Sequence, residues 1–199
     1  MLRYWLATAR RLLLGAGASA LVSGGAMAGV LIAEAPASWP GALAQGAAAG
    51  LSVGAALMLL IATSNTWRAA RTAAHHGLAL GAAAAPAHHR QMLRVPLVPG
   101  TTAYQLTDSV LHALKQVPNL RIEEVAEFTH GRLTLVYGSA LGVPVRLSIS
   151  IETGRDSATA TVDARPTTTW KRLDGGASWS VLTLLAPHVR RGLEQHSGQ

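Results

Sequence analysis

The chain has no cysteine, a single phenylalanine, and no acidic residue between Glu34 and Asp108. Without cysteine there is no disulfide, no thiolate nucleophile, no Cys-ligated zinc and no iron–sulfur cluster. That absence suits any compartment and selects none. Lysine is scarce as well, so the basic side chains are nearly all arginine. The most telling absence is charge itself. Leu12–Ile32 and Gly41–Thr63 contain no Asp, Glu, Lys or Arg, and the loop between them carries only Glu34.

Each uncharged stretch has the length of a membrane span. Twenty-odd residues at about 1.5 Å per residue cover a hydrocarbon core of about 30 Å. Pro36 and Pro40 break the helices between them, and Trp39, Tyr4, Trp5 and Trp67 stand where interfacial aromatics belong. Arg10 and Arg11 precede the first segment, while Arg68 and Arg71 follow the second. By the positive-inside rule both ends face the cytoplasm. A rival reading is a cleavable signal peptide, with Arg10–Arg11 leading a Leu-rich run and Ala26-Met27-Ala28 as the cleavage site. The second segment would then stop transfer and leave the C-terminal part on the same side.

The net charge of +7 would by itself point to nucleic acid. Its distribution does not. Residues 1–94 hold seven arginines against Glu34, and the remainder holds ten basic and nine acidic side chains. The excess lies beside the apolar segments, where anionic headgroups are the natural partner, so no nucleic acid is expected.

Both segments carry small residues at four-residue spacing: Ala16, Ala20, Gly24 and Ala28 in the first, and Ala42, Gly46, Gly50 and Gly54 in the second. Such stripes let backbones approach closely in lipid, where no hydrophobic drive acts between helices. They serve either the contact within one hairpin, or a partner membrane protein or second copy. With no ionisable side chain in either span, an ion path is not expected.

Residues 67–91 read as a basic, Ala- and His-rich connector, helical until Pro86. Its pairs His75–His76 and His88–His89 do not predict a metal site. Adjacent residues on a helix point about 100° apart. Protonation near pH 6.5 would instead add to headgroup attraction.

Residues 92–199 read as a small α+β domain. Met92–Val98 predicts a strand, and Thr101 or Thr102 caps a helix with Leu106, Val110, Leu114 and Val117 on one face. Strands follow over Leu120–Phe128 (with a bulge near Glu123–Glu124), Arg132–Tyr137, Val143–Glu152 and Ser157–Arg165. Ser178 then caps a last helix that Pro187 should kink or split. The predicted fold is a membrane hairpin of two helices (residues 1–66) plus a cytoplasmic antiparallel meander with helices on one face. The element order of residues 92–199 resembles helix-grip domains, in which a long C-terminal helix packs across a curved sheet; no functional residue follows from it.

No catalytic constellation emerges. Asp108 and His112 are spaced as a helix-surface pair, without a nucleophile elbow. Glu123, Glu124 and Glu127 fit a solvated strand face. The one loop of unusual content, Trp170-Lys171-Arg172 running to Trp179, is a possible partner contact, because Trp and Arg dominate interface energetics. Trp179 alternatively belongs to the core. No cofactor is expected. These residues predict a non-enzymatic integral protein of a bacterial inner or plasma membrane, acting as an accessory or scaffolding subunit. The alternative is a membrane-tethered module holding a lipid or other apolar ligand between sheet and C-terminal helix, lined by Leu147, Ile149, Ala160 and Val162.

Overall fold

The structure, a computed structural model, describes residues 1–118, 121–138, 143–168 and 173–195. It comprises two compact units, Met1–Trp67 and Arg68–Gln199.

The first unit consists of two long helices. Helix α1 spans Leu2–Glu34, and α2 spans Trp39–His75 with its last turns, from Arg68, in the second unit. Both are long and apolar enough to cross a membrane. Helix α1 begins ahead of Leu12 because Leu2–Arg11 contains no glycine or proline to stop it. It ends at Ala35, whose extended backbone (φ −143°) is what a following proline demands. A short 3₁₀ turn, Pro36–Ser38, leads into α2.

The connector differs from expectation. Helix α2 stops at His75, ten residues before Ala85, and the cause is Gly77 at φ +65°. The Leu78 N–H donates to the Ala73 carbonyl at 2.8 Å and the Gly77 N–H to Ala74 at 3.2 Å. This paired closure satisfies the helix's terminal carbonyls and needs a left-handed residue. Nor is the segment 67–91 a free linker. Ala69, Ala73, Ala84, Ala85 and Ala87 are buried, and the second unit begins at Arg68, well before Met92.

In the second unit, strand β1 (His89–Pro96) and helix α3 (Ala103–Lys115) precede β2 (Arg121–Thr129), β3 (Arg132–Gly138), β4 (Val145–Thr153) and β5 (Ser157–Pro166). Helix α4 (Ala177–Glu194) closes the fold. Every strand pairing is antiparallel, in the order β1-β5-β4-β3-β2, so this unit is an α+β domain. The first strand starts three residues before Met92 because His89–Gln91 pair with Val162–Ala164. Thr102 and Gln105 form a reciprocal capping box on α3.

One face of the sheet is the core. Leu133, Leu135 and Tyr137 of β3, Val145, Leu147, Ile149 and Ile151 of β4, and Ala158, Ala160, Val162 and Ala164 of β5 meet Leu106, Val110 and Leu114 of α3 and Leu185, Val189 and Leu193 of α4. The β5 alanines leave room for α4, as period-two alternation implies. Gly192 lets the helices cross closely, since a Cβ there would lie 2.8 Å from Val110 Cα.

Two details correct the sequence reading. Of the kink or split expected at Pro187, the split does not occur: helix α4 runs through it as one element. The proline is on the exposed side, where the carbonyl of the equally exposed Thr183 can be hydrated instead of bonded. Its N-cap is Gly176 rather than Ser178, and the carboxylate of Asp174, two residues earlier, accepts from Gly176 N (3.0 Å) and Ser178 N (2.8 Å).

Candidate functional site

The small-residue stripes of α1 and α2 face each other. A Cβ placed on Gly46 would stand 2.7 Å from the Ala28 Cβ, one on Gly24 would stand 2.7 Å from the Gly46 carbonyl oxygen, and one on Gly54 would stand 3.0 Å from the Ala20 Cβ and 2.7 Å from the Ala16 oxygen. At Gly50 it would collide with the Ala20 oxygen and lie 2.9 Å from Gly24 Cα. The sequence order is that of an antiparallel zipper, with Ala28 beside Gly46 and Ala16 beside Gly54. Ala42 is buried further along the same stripe. Backbone-to-backbone approach of this kind needs small residues such as Gly and Ala.

Two polar bonds join the helices nearer the α1 N-terminus. Asn65 Nδ2 donates to the Tyr4 hydroxyl at 2.7 Å, both residues being buried, and Trp5 Nε1 donates to Thr63 Oγ1 at 3.3 Å. Sequence reasoning placed Tyr4 and Trp5 as interfacial aromatics and missed Asn65. Nothing local signals it, because its partner Tyr4 lies 61 residues away and meets it only once the helices are folded back.

Large apolar side chains cover the outside of the pair. Leu14 is 84% exposed, Leu21 79% and Leu60 68%. The outside of α1 also holds Gly25 and Gly29, a second small-residue pair at four-residue spacing, with no atom within 4 Å of where either Cβ would sit. The sequence reading passed over these two. Arg10, Arg11, Trp67, Arg68 and Arg71 are all exposed on their helices. His76 is held below its ordinary pKa of 6.5, first by burial and then by the neighbouring His75. Its protonation therefore needs more acid than a free imidazole's.

In the second unit, Trp170, Lys171 and Arg172 lie outside the described residues. Trp179 is half-buried at the start of α4 with its ring 3.9 Å from a Cβ built on Gly176, which itself packs on Ala69. His112 bonds to Gln116 at 2.8 Å and not to Asp108. Glu123, Glu124 and Glu127 are exposed along the edge strand β2, whose pairing shifts register at two places, one of them at the expected bulge. Charge and bulges together are how an edge strand resists pairing with another chain. Among the described residues no three His, Asp or Glu side chains group closely enough to hold a metal ion.

No family model matches this chain, and no curated protein matches it. Among solved structures, DynU16 from the dynemicin biosynthetic locus aligns at 14% identity and a TM-score of 0.37, covering 56% of this chain. The chain spans about half of that protein, 48% of its length. The di-domain ARO/CYC BexL of the BE-7585A biosynthetic pathway aligns at 10% identity and 0.31, over 80% of this chain and 62% of that one. Ara h 8.0201 aligns at 12% and 0.30, over 55% and 97%. Likeness at this level carries nothing about activity or ligand.

Proposed function

We propose that this protein is a non-enzymatic membrane-anchored subunit, whose helix pair inserts in the bilayer and serves as an accessory or scaffolding element of a larger membrane assembly. Both termini and the α+β domain lie in the cytoplasm. The observation that carries the reading is the helix pair itself: an inner seam of Gly and Ala, an outer surface of exposed Leu and Val, and arginines flanking the uncharged spans. Such an exterior is costly in water and natural in lipid. The outward pair Gly25 and Gly29 supports a further helix as partner, because glycine weakens a helix unless close packing compensates. A cleaved leader is disfavoured by the same seam, since cleavage after Ala28 would strip α2 of its packing partner.

The alternative of an apolar ligand between sheet and α4 finds little support at the residues that would line it. Leu147, Ile149, Ala160 and Val162 are at most 1% exposed. A side chain lining a ligand-sized cavity would present surface to a water-sized sphere.

The test is topology and partnership together. A reporter active only outside the cytoplasm, fused after Gln199, stays silent, while a cytoplasmic reporter at the same place works. The native protein in gentle detergent carries a membrane partner that Gly25→Leu and Gly29→Leu remove while the hairpin persists. An active external reporter overturns the orientation, and undiminished association of both variants overturns the assembly role.

A further inference from the structure

The face of the sheet turned away from the helices is polar, and it forms a depression of about 410 Å³. The strand registers set its floor. Thr134 lies opposite Ser148 and Ser150 opposite Thr161, so four hydroxyls form a patch across β3, β4 and β5. Around them stand Arg132, Arg90 and Arg165. None of these three guanidinium groups has a hydrogen bond or ion pair among the described residues. The two carboxylates of the lining are already engaged: Asp163 with His88 at 2.5 Å, and Glu127 accepting from Thr134 at 3.2 Å.

One feature of this face works against the bare sheet. Arg146 and Arg165 are directly opposed cross-strand partners on β4 and β5. Like charges so placed destabilise a sheet. Arg90, opposite Asp163, is the diagonal neighbour of Arg165. Adjacent unpaired guanidinium forks, as Arg90 and Arg165 present, are what recognises a phosphoryl group, since each offers five donors in a planar array; Arg132 stands across the hydroxyl floor on β3, opposite Ser150. The hydroxyl floor and the Glu127 oxygens add acceptors and short-range donors, which suit sugar-like hydroxyls better than a bare anion. The volume lies within the range of small-molecule sites, about 300–1,000 Å³.

We propose that this outer sheet face binds a soluble phosphorylated polyol, with Arg90 and Arg165 on the phosphate, and the Thr134–Ser148–Ser150–Thr161 floor and Arg132 at its far side on the hydroxyls. Apart from Ile149, the residues of the lining are charged or polar, so a water-soluble ligand is the occupant rather than an acyl lipid. The site is independent of whether the helix pair spans a membrane.

The full chain, reconstituted in discs of neutral phosphatidylcholine, is titrated calorimetrically with glucose 6-phosphate, with inorganic phosphate and with unphosphorylated glucose. Glucose 6-phosphate binds saturably, phosphate binds more weakly, and glucose does not bind. Arg90→Gln and Arg165→Gln each weaken binding by about tenfold or more, the loss expected of a charge-assisted bond. Arg155→Gln, the same charge change on the exposed β4–β5 turn, leaves it unaltered. Thermal melts of the three variants show whether the fold is retained. Equal loss in Arg155→Gln overturns the site in favour of diffuse attraction. No saturable binding by the folded wild type also overturns it. So does binding only to vesicles containing phosphatidylglycerol when that binding is lost in the same variants, which would make the occupant a lipid headgroup.

Discussion

The hydroxyl of Tyr137 is fully buried in the core and has no hydrogen-bond partner among the described residues. Burial pushes its ionisation well above the ordinary phenol value, so the group is neutral at any working pH. An orphaned buried hydroxyl costs about 1–3 kcal/mol, while the ring supplies favourable packing. Tyr137→Phe keeps the ring and removes the orphan. Denaturant melts are expected to show unchanged stability or a gain of about 1 kcal/mol. A clear loss would mean that the hydroxyl has a partner. Asp174 is the opposite case, a buried carboxylate whose two oxygens each receive a backbone N–H at the start of α4. Asp174→Ala leaves those donors unpaired and should cost about 1–2 kcal/mol, the upper range for a lost helix cap. Asp174→Asn, which can still accept one of the two bonds, should lose less. Equal losses would mean that the cap bonds contribute little.

Between α1 and α2, stability depends on how closely the backbones approach. Gly50→Leu drives a side chain into the Ala20 carbonyl and Gly24, neither of which can move without separating the helices. The expected outcome is a hairpin that loses compactness in detergent, read as a lower melting temperature and easier proteolysis between the helices. Ala55→Leu, on an exposed face of the same helix, is the control and should behave as wild type. If the two variants behave alike, the seam is incidental. Gly25→Leu separates the two roles at this scale, since it leaves the inner seam intact and alters only the outer surface. At the sheet edge, the same logic explains why β2 tolerates three glutamates. A strand that packs only Ile122 and Phe128 against the core contributes little apolar burial. Its charges act by keeping other strands away.

For the whole molecule, the boundary at Arg68 has a practical consequence. A fragment of residues 68–199 retains Ala69, Ala73, Ala84, Ala85 and Ala87, together with all of β1. It should unfold cooperatively. A fragment of residues 92–199 removes those buried alanines and the His89–Gln91 pairing with β5, baring one edge of the sheet. It should be less stable and more prone to associate, measured by denaturant titration and light scattering. Identical stability of the two would place the boundary back at Met92.

Much of this was legible locally. The uncharged runs, the four-residue Gly/Ala stripes and the strict alternation of Val145–Ile151 each carry their meaning in neighbouring residues, because helix and strand periods translate spacing directly into a face. The end of α2 was legible too, in Gly77, although the alanine-rich run around it outweighed a single glycine. What only the tertiary structure decided depends on residues far apart in the chain. Asn65 meets Tyr4, the unforeseen Asp163 meets His88, and α4 starts from Gly176, with Asp174 rather than Ser178 receiving its first backbone N–H groups. The arginines of the outer sheet face are scattered singly over β1, β3, β4 and β5, and strand order and register alone bring Arg90, Arg146 and Arg165 together and set Arg132 across the floor from them. Local propensity has no access to such pairings, since register and crossover are set by burial of the opposite face of the sheet.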